Sequence, residues 1–332
     1  MGCDRCKTRR ATPFLVAGCR ALFRGCRLLT VIALCGLTAG AWAQEADDTT
    51  EWRKPIPLSL TLDYSLWSDF VCRKSINLSE YPGEGREDLN HQIWAAAAVS
   101  SKDVLGLDIG TFSIGYWADW FEGQEGITPN HDGTQNEWDI IASWTYGIPK
   151  TPFTFSLSYD YWVLPPYDEG GASHDSFSGH ELWFGLAFDD SVLFGRPIFS
   201  PYVLWVRDID DFQENWIDIG VSHTFVLSSL GCADIPVLRH VSVTPKVVVG
   251  IDDGYVDAVM GQDRGTHLAS INYSLTVGYN LGSAIGMPRK YGTLSTRAFI
   301  HYKDQTHDYN SAGFYPVLRD EVYGGVGITY GW

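Results

Sequence analysis

Residues 321–332 read E-V-Y-G-G-V-G-I-T-Y-G-W. Successive side chains of a strand point to opposite sides, so this stretch has one apolar face and one face of small or polar residues. The apolar face comprises Val322, Gly324, Val326, Ile328, Tyr330 and Trp332. An amphipathic ring at the end of a strand suits a membrane interface. The stretch therefore predicts the last strand of a membrane β-barrel, and the alternative is an edge strand of a soluble sandwich.

Eleven further stretches alternate between apolar and polar residues in the same way. In one of them Ile271, Tyr273 and Leu275 alternate with polar neighbours. A membrane strand needs roughly 9–11 residues, which most of these stretches provide. With the final stretch included, the predicted strands cover approximately residues 57–67, 91–100, 104–117, 136–148, 152–163, 179–189, 198–207, 214–227, 239–251, 269–281, 294–303 and 321–332. Alternation fails near Thr111, which predicts a β-bulge there.

The predicted connections alternate between long and short. Those after odd-numbered strands are mostly long, such as residues 68–90 and 118–135, and those after even-numbered strands are mostly shorter, such as residues 149–151. Long external loops alternating with short periplasmic turns are typical of outer-membrane barrels. The sequence therefore predicts an all-β fold, a transmembrane antiparallel up-and-down β-barrel of about 12 strands. Ten or fourteen strands are alternatives, because strands two and three and residues 190–210 are ambiguous.

The first 43 residues have the layout of a secretory signal peptide. Seven Lys or Arg and a single acid, Asp4, come first. An apolar run from Leu28 to Gly40 follows, and Ala41-Trp42-Ala43 forms an A-x-A cleavage pattern. We predict cleavage after Ala43, a periplasmic lead-in at residues 44–56, and a barrel at residues 57–332 in the cell outer membrane.

Without this leader the chain is strongly acidic. Residues 44–332 keep 17 of the 24 Lys and Arg and 39 of the 40 Asp and Glu, a net charge of −22. Such a chain would repel the phosphates of nucleic acid, so nucleic acid is excluded as a partner. No window in these residues approaches the roughly 18 consecutive apolar residues of a transmembrane helix. The predicted partners are instead outer-membrane lipids, lipopolysaccharide, and small solutes or ions.

If the apolar strand faces meet lipid, the alternate residues line the lumen. The charged residues at these positions are Asp63, Asp108, Asp139, Asp160, Glu181, Asp218, Arg207, Lys246 and Arg297. His301 lies near the basic group. The acids and the bases fall on different strands, so one arc of the barrel is acidic and the facing arc is basic. The groups could pair and plug the lumen, or they could set up a transverse field across a water-filled lumen, where the acidic excess favours cations.

The sequence therefore favours a porin-like passive channel for small solutes or cations. A first alternative is a plugged barrel with a structural or adhesive role through acidic external loops, to which Asp119, Asp208 and Asp252 are assigned. Carboxylate clusters can bind Ca²⁺ or Mg²⁺, but the spacing matches no calcium loop, and no metal site or cofactor is predicted. Aromatic residues near the predicted strand ends, including Trp94 and Trp162, are interpreted as membrane-interface belts.

A second alternative is a lipid-modifying enzyme, because some small outer-membrane barrels place His and Ser near the outer rim. The candidate residues surround the start of predicted strand six: His174, Asp175, Ser176, Ser178 and His180. Such a cluster could hold a Ser–His pair. No nucleophile-elbow motif accompanies it, so no catalytic residue is assigned.

Residues 64–76 read Y-S-L-W-S-D-F-V-C-R-K-S-I. They resemble the opening T-S-D-Y-V-x-R-G-x-S of an uncharacterised Gram-negative family with a signal peptide, although Lys74 replaces the usual Gly. The matching residues are Ser68, Asp69, Phe70, Val71, Arg73 and Ser75, and Ile93-Trp94-Ala95-Ala96 is similar to that family's second strand. The resemblance covers the first third of residues 44–332 and implies an outer-membrane barrel of no settled activity. The ending on Trp332 resembles the C-terminal targeting strand of bacterial outer-membrane barrels, which implies the barrel-assembly machinery as a partner.

Overall fold

The computed structural model describes residues 57–68, 89–121, 135–165, 167–169, 172–174, 176–210, 213–254, 265–306 and 320–332. The predicted signal peptide and lead-in lie outside these ranges. So do Asp69, Arg73 and most of the matching motif.

Twelve strands of the described ranges form one sheet. They are β1 (Leu58–Trp67), β2 (Asn90–Ser100), β3 (Thr111–Phe121), β4 (Gln135–Gly147), β5 (Phe153–Leu164), β6 (Phe177–Phe188), β7 (Tyr202–Asp208), β8 (Asn215–Ser222), β9 (Val241–Asp253), β10 (His267–Tyr279), β11 (Thr293–Gln305) and β12 (Glu321–Gly331). Two short strands, Tyr167–Glu169 and Ala172–His174, pair in the connection between β5 and β6. A further one, Phe225–Val226, pairs with the start of β9.

The sheet closes on itself. Each strand pairs antiparallel with its neighbours in the chain, and β1 also pairs antiparallel with β12, from Thr61 opposite Gly331 to Trp67 opposite Gly325. Closure leaves no unpaired sheet edge, because every strand has a partner on both sides. The structure confirms the predicted antiparallel barrel of 12 strands.

The third strand differs from its prediction. Residues 101–105 form a helix, and β3 starts only at Thr111, seven residues later than the sequence pattern suggests. Gly106 and Gly110 adopt positive φ, a conformation that glycine tolerates and that breaks an extended strand here. The loss of alternation near Thr111 therefore marks the strand's beginning and not a bulge. Register shifts occur elsewhere, between Asp119 and Trp120 and between Gly250 and Ile251.

The near rim, defined as the rim where β1 begins and β12 ends, is built from turns that contain short helices. These helices are Ser101–Leu105, Ser191–Phe194, Leu227–Leu230, Leu238–His240, Leu281–Ala284 and Arg289–Tyr291. Several of their apolar side chains are exposed, among them Leu105, Leu193 and Leu230. No helix in the described ranges has the length and apolar character needed to cross a membrane.

Asp190 organises the near-rim turn between β6 and β7. Its carboxylate accepts the backbone N–H groups of Ile198 and of Phe199, the latter at 2.6 Å. Burial alone would raise the pKa of Asp190, but these hydrogen bonds outweigh burial and hold the pKa below its usual value. The carboxylate thus fixes a connection that has no strand pairing of its own.

Burial in this barrel is inverted relative to a soluble protein. Apolar side chains on the outer face are exposed, with Leu62 at 53% and Val322 at 61% of their accessible surface. Polar side chains on the inner face are buried, and Asp119 and Asp208 are both at 0%. The alternation seen in the sequence is therefore apolar outward and polar inward.

Several aromatic rings of the inner face lie flat over glycines of the adjacent strand. The Trp94 indole occupies the space that a Cβ on Gly115 would need, and the Trp162 indole does the same at Gly179. This packing lets large rings lie against the wall, where strand–strand spacing would otherwise force them into the lumen.

We expect Gly115→Ala to destabilise the barrel by about 1–3 kcal/mol, because its new methyl group would overlap the Trp94 ring. Gly147→Ala is the matched control, since no heavy atom lies within 4 Å of the Cβ position. We expect that control to change stability by less than about 0.5 kcal/mol. Denaturant unfolding of the refolded barrel, followed by tryptophan fluorescence, measures both variants. Equal unfolding midpoints for the two variants would show that the Trp94 ring can shift without loss of stability.

Candidate functional site: the charged lumen

Most of the predicted lumen residues share the inner face with the buried polar side chains. Those on this face are Asp63, Asp139, Asp160, Glu181, Asp218, Lys246 and Arg297. They lie on β1, β4, β5, β6, β8, β9 and β11, so the charges are spread around most of the barrel wall.

Two predicted lumen residues lie elsewhere. Asp108 is exposed in the near-rim turn before β3, because that segment is a helix and turn and not a strand. Arg207 has the same parity as the exposed Val203 and Trp205, so it lies on the outer face. Its guanidinium donates to Asn215 Oδ1 at 3.2 Å, an oxygen that also accepts the Trp205 indole N–H. The sequence prediction therefore exchanged the inward and outward positions at the end of β7.

A continuous group of carboxylates crosses the inner face from β3 to β8. We name it the acidic belt, and its members are Asp119, Glu137, Asp139, Asp160, Glu181, Asp208 and Asp218. Three pairs of acids are direct cross-strand neighbours in the register: Asp119 with Glu137, Asp160 with Glu181, and Glu181 with Asp208. Like charges placed directly opposite are destabilising, so the belt concentrates negative potential on one wall at a cost in stability.

Neutral donors hold several of these carboxylates. Asn90 Nδ2 donates to Asp119 at 2.6 Å, and the indole N–H of Trp183 donates to Glu181 at 2.8 Å. The indole N–H of Trp216 donates to Asp218 at 2.7 Å. Amide and indole donors fix these carboxylates in position without placing a positive charge beside them.

The facing wall carries the basic groups. Lys246 and Lys303 both lie within electrostatic range of His301, and Lys303 is buried. The Lys246 ammonium lies 5.1 Å from the centroid of the Tyr202 ring, a cation–π arrangement. The His301 ring stacks on Tyr323 with centroids 4.8 Å apart. The belt carboxylates and these basic groups therefore lie on different strands of the barrel, β3 to β8 for the acids and β9 and β11 for the bases.

Arg297 is engaged by an acid outside the belt. Its Nη2 donates to Asp63 Oδ1 at 2.7 Å, and its Nη1 donates to Asp63 Oδ2 and, at 2.9 Å, to the Thr329 hydroxyl. The Thr329 hydroxyl in turn donates to Asp63. This bidentate pair joins β1 to β11 across β12, so Arg297 neutralises Asp63 and not the acidic belt.

Sequence reasoning missed four buried charges of the inner face. Asp119, Asp208 and Asp252 had been assigned to external loops, but β3, β7 and β9 extend through them and all three side chains are fully buried. The fourth is Lys303, which lies two residues before the end of β11 on the same face as Arg297. The period-two pattern that begins at Lys246 reaches Asp252, and the one that begins at Arg297 reaches Lys303. Asp119 and Asp208 could not be found in this way, because the inward positions of strands three and seven were predicted with the wrong parity.

The predicted interface aromatics also divide between the two faces. Trp67, Trp94, Trp117 and Trp162 lie on the inner face, whereas Trp120, Trp138, Tyr161 and Trp205 lie on the outer face. Of the inner group, Trp117 and Trp162 lie beside Asp139 of the acidic belt, whereas Trp67 packs against Phe299, His301 and Tyr323.

The hydrolase candidates lie on the outer surface near the far rim, opposite the near rim. His180 Nδ1 contacts the Tyr159 hydroxyl at 2.5 Å, and Nε2 is 3.8 Å from an Asp210 carboxylate oxygen. Its ring also stacks on Tyr161. Ser178 shares the outer face, but the His180 nitrogens face Tyr159 and Asp210. The side chains of His174 and Asp175 lie outside the described residues.

In the described ranges, no group of three or more His, Cys, Asp or Glu side chains converges to hold a metal ion. The belt carboxylates line a wall and do not surround a point. The inner face therefore carries carboxylates that are spread along the wall and mostly buried.

No family model and no curated protein matches this sequence. Among solved structures, the chain is similar to the NanC porin at 7% identity, with 81% of this chain and 98% of that chain covered and a TM-score of 0.43. It is also similar to an outer membrane channel from Pseudomonas putida F1 at 7% identity, with 87% and 100% covered and a TM-score of 0.40. The translocator domain of the autotransporter NalP from Neisseria meningitidis is 9% identical, with 91% and 97% covered and a TM-score of 0.38. These similarities concern the barrel fold alone.

Proposed function

We propose that this chain is a passive channel of a bacterial outer membrane that passes small solutes and favours cations. The observation that carries the proposal is the inverted burial of a closed barrel, with an apolar exterior and a charged interior. Soluble small barrels fill their interiors with packed side chains and expose polar ones. A lipid-facing barrel needs the opposite arrangement, with every strand paired and an apolar outer band.

The preference for cations rests on the acidic belt. Its carboxylates lie on neighbouring strands, and the inner-face guanidinium of Arg297 is paired with Asp63, which is not part of the belt. Charged linings select among ions because a passing ion exchanges part of its hydration for the field of the wall. A wall of closely spaced carboxylates lowers the energy of a cation and raises that of an anion.

We also propose that the protein is located in the outer membrane. A leader of 43 residues that ends on Ala41-Trp42-Ala43 supports export, and the apolar exterior supports contact with lipid and lipopolysaccharide after insertion by the barrel-assembly machinery. Amino-terminal sequencing of protein recovered from outer membranes should give Gln44 as the first residue. A protein that begins at Met1 in that fraction would contradict the predicted cleavage.

Single-channel recording tests the function. Residues 44–332 are refolded, inserted in a planar bilayer and studied under a salt gradient. We expect stable conductance steps whose reversal potential has the sign of a cation-selective pore. An anion-selective reversal potential would contradict the role given to the acidic belt.

A second candidate function, a plugged barrel with a structural role, is favoured by one observation. Asp119, Asp208 and Asp252 have no accessible surface, as expected if the lumen is filled at their level. Folded protein that inserts in the bilayer without conductance would support this candidate over the channel.

A further inference from the structure

One row of the register places a carboxylate between indole rings. Reading across the strands from β2 to β5, Trp94 lies opposite Trp117, Trp117 opposite Asp139, and Asp139 opposite Trp162. All four side chains are on the inner face. The Trp94 and Trp162 rings occupy the space that a Cβ on Gly115 and on Gly179 would need, so both rings lie against the barrel wall.

Asp139 shares with Asp160 and Asp208 a buried carboxylate oxygen for which the described structure provides no hydrogen-bond donor, and it is the one of the three that lies between indole rings in the register. Its side chain is 9% exposed, and its Oδ1 is buried with no hydrogen-bond partner in the described structure. A buried carboxylate oxygen without a donor is costly, and native proteins rarely leave one unsatisfied. Glu137, Asp160, Asp119 and Glu181 all act electrostatically on Asp139. The position therefore lacks both a hydrogen-bond donor and a positive charge.

We propose that Asp139 binds the primary ammonium group of an amine-bearing solute that enters the lumen. A primary ammonium supplies what is lacking, since it carries one positive charge and three N–H donors on a single atom. The flanking indole faces favour a cation, because the electron-rich face of Trp attracts positive charge within about 6 Å. The inference rests on the proposed function only in that the solute must reach the lumen.

The surroundings favour an amine over a bare metal ion. Direct metal binding requires several oxygen ligands around one point, and no such group exists in the described ranges. A tryptophan-lined wall also offers a metal ion few ligands. An alkylammonium instead needs one or two carboxylate oxygens and tolerates apolar contact along its carbon chain.

A fluorescence titration of folded residues 44–332 in detergent tests the proposal without any conductance measurement. Tryptophan emission is followed as putrescine, a four-carbon diamine, is added. Its neutral analogue 1,4-butanediol, tetramethylammonium (which has no N–H donor) and Mg²⁺ are titrated in parallel. We expect saturable binding of putrescine and at least roughly tenfold weaker binding of each of the other three, since charge and donors are both required.

The matched variants are Asp139→Asn and, as control, Asp103→Asn, which removes the same charge from an exposed near-rim residue. We expect Asp139→Asn to weaken putrescine binding roughly tenfold or more, and Asp103→Asn to leave binding unchanged. Equal binding of Mg²⁺ or tetramethylammonium, or undiminished binding to folded Asp139→Asn, would overturn the proposal. The comparison among ligands needs no variant, so it decides the question even if Asp139→Asn does not fold. Putrescine binding without conductance would refute only the channel, and cation-selective conductance without putrescine binding would refute only the amine site.

Discussion

Asp139→Asn is expected to reduce the ratio of cation to anion permeability several-fold. Asp139 lies at the centre of the acidic belt, within the fields of Glu137, Asp160, Asp119 and Glu181. An ion that passes about 7 Å from a unit charge, at an effective dielectric constant of about 40, gains or loses about 1.2 kcal/mol. Salt screening over a Debye length of about 10 Å halves this energy, and the cation and the anion shift in opposite directions, so the ratio of their permeabilities changes roughly sevenfold.

The measurement is the reversal potential of the refolded barrel in a planar bilayer under a tenfold salt gradient. Asp160→Asn, alone and combined with Asp139→Asn, extends the series, and the double variant should shift the reversal potential further toward zero. Asp103→Asn provides the control, because it removes one negative charge from the exposed near rim. A reversal potential that is the same in Asp139→Asn and in the unaltered protein would contradict the role given to Asp139 in selectivity.

The number and approximate positions of the strands could be predicted from the sequence, because apolar and polar residues alternate along the strands of the barrel. Period-two patterning at Leu58–Trp67 or at residues 267–279 fixes which residues share a face, and register errors of a residue or two do not change the strand count. The third strand was misplaced because Leu105, Leu107 and Ile109 have the spacing of strand alternation. These residues are exposed on a near-rim helix and turn.

The charged lumen could be predicted only in part. Asp139, Asp160 and Glu181 lie well inside their strands, where parity is unambiguous. Asp119, Asp208 and Asp252 lie at the far ends of strands, where a polar residue looks the same in a loop as on a lumen wall. Arg207 also lies near a strand end. It was assigned to the lumen because it is charged, although its position in the alternation places it on the outer face. Cross-strand relations such as Asp139 between two tryptophans depend on register, which sequence alone does not supply.

The pairing of Asp63 with Arg297 also required the structure, because the two residues are 234 positions apart in the chain. The first strand and the eleventh become neighbours across β12 only when the barrel closes. Gly327 makes room for the guanidinium, since a Cβ at that position would lie 2.9 Å from Arg297 Cζ. The ion pair therefore stabilises the closing seam of the barrel, where the two ends of the sheet meet.

Arg297→Met is expected to destabilise the folded barrel by about 2 kcal/mol. Removing one partner leaves Asp63 charged and largely buried, a change that typically costs roughly 3–5 kcal/mol when the pair is fully buried. Solvent screening reduces that cost here, because the Arg297 and Asp63 side chains are 28% and 16% exposed. Replacing both residues, as in the combined Asp63→Asn and Arg297→Met variant, removes the stranded charge and should recover part of the loss.

Equilibrium unfolding in denaturant measures the free energy of each variant in detergent or lipid. Arg289→Met is the matched control, because it removes an arginine that is exposed in a near-rim helix. If closure of the seam depends on backbone pairing alone, Arg297→Met and Arg289→Met will unfold at the same denaturant concentration. A lower midpoint for Arg297→Met alone, with partial recovery in the combined variant, would identify the ion pair as the interaction that holds β1 and β11 on either side of β12.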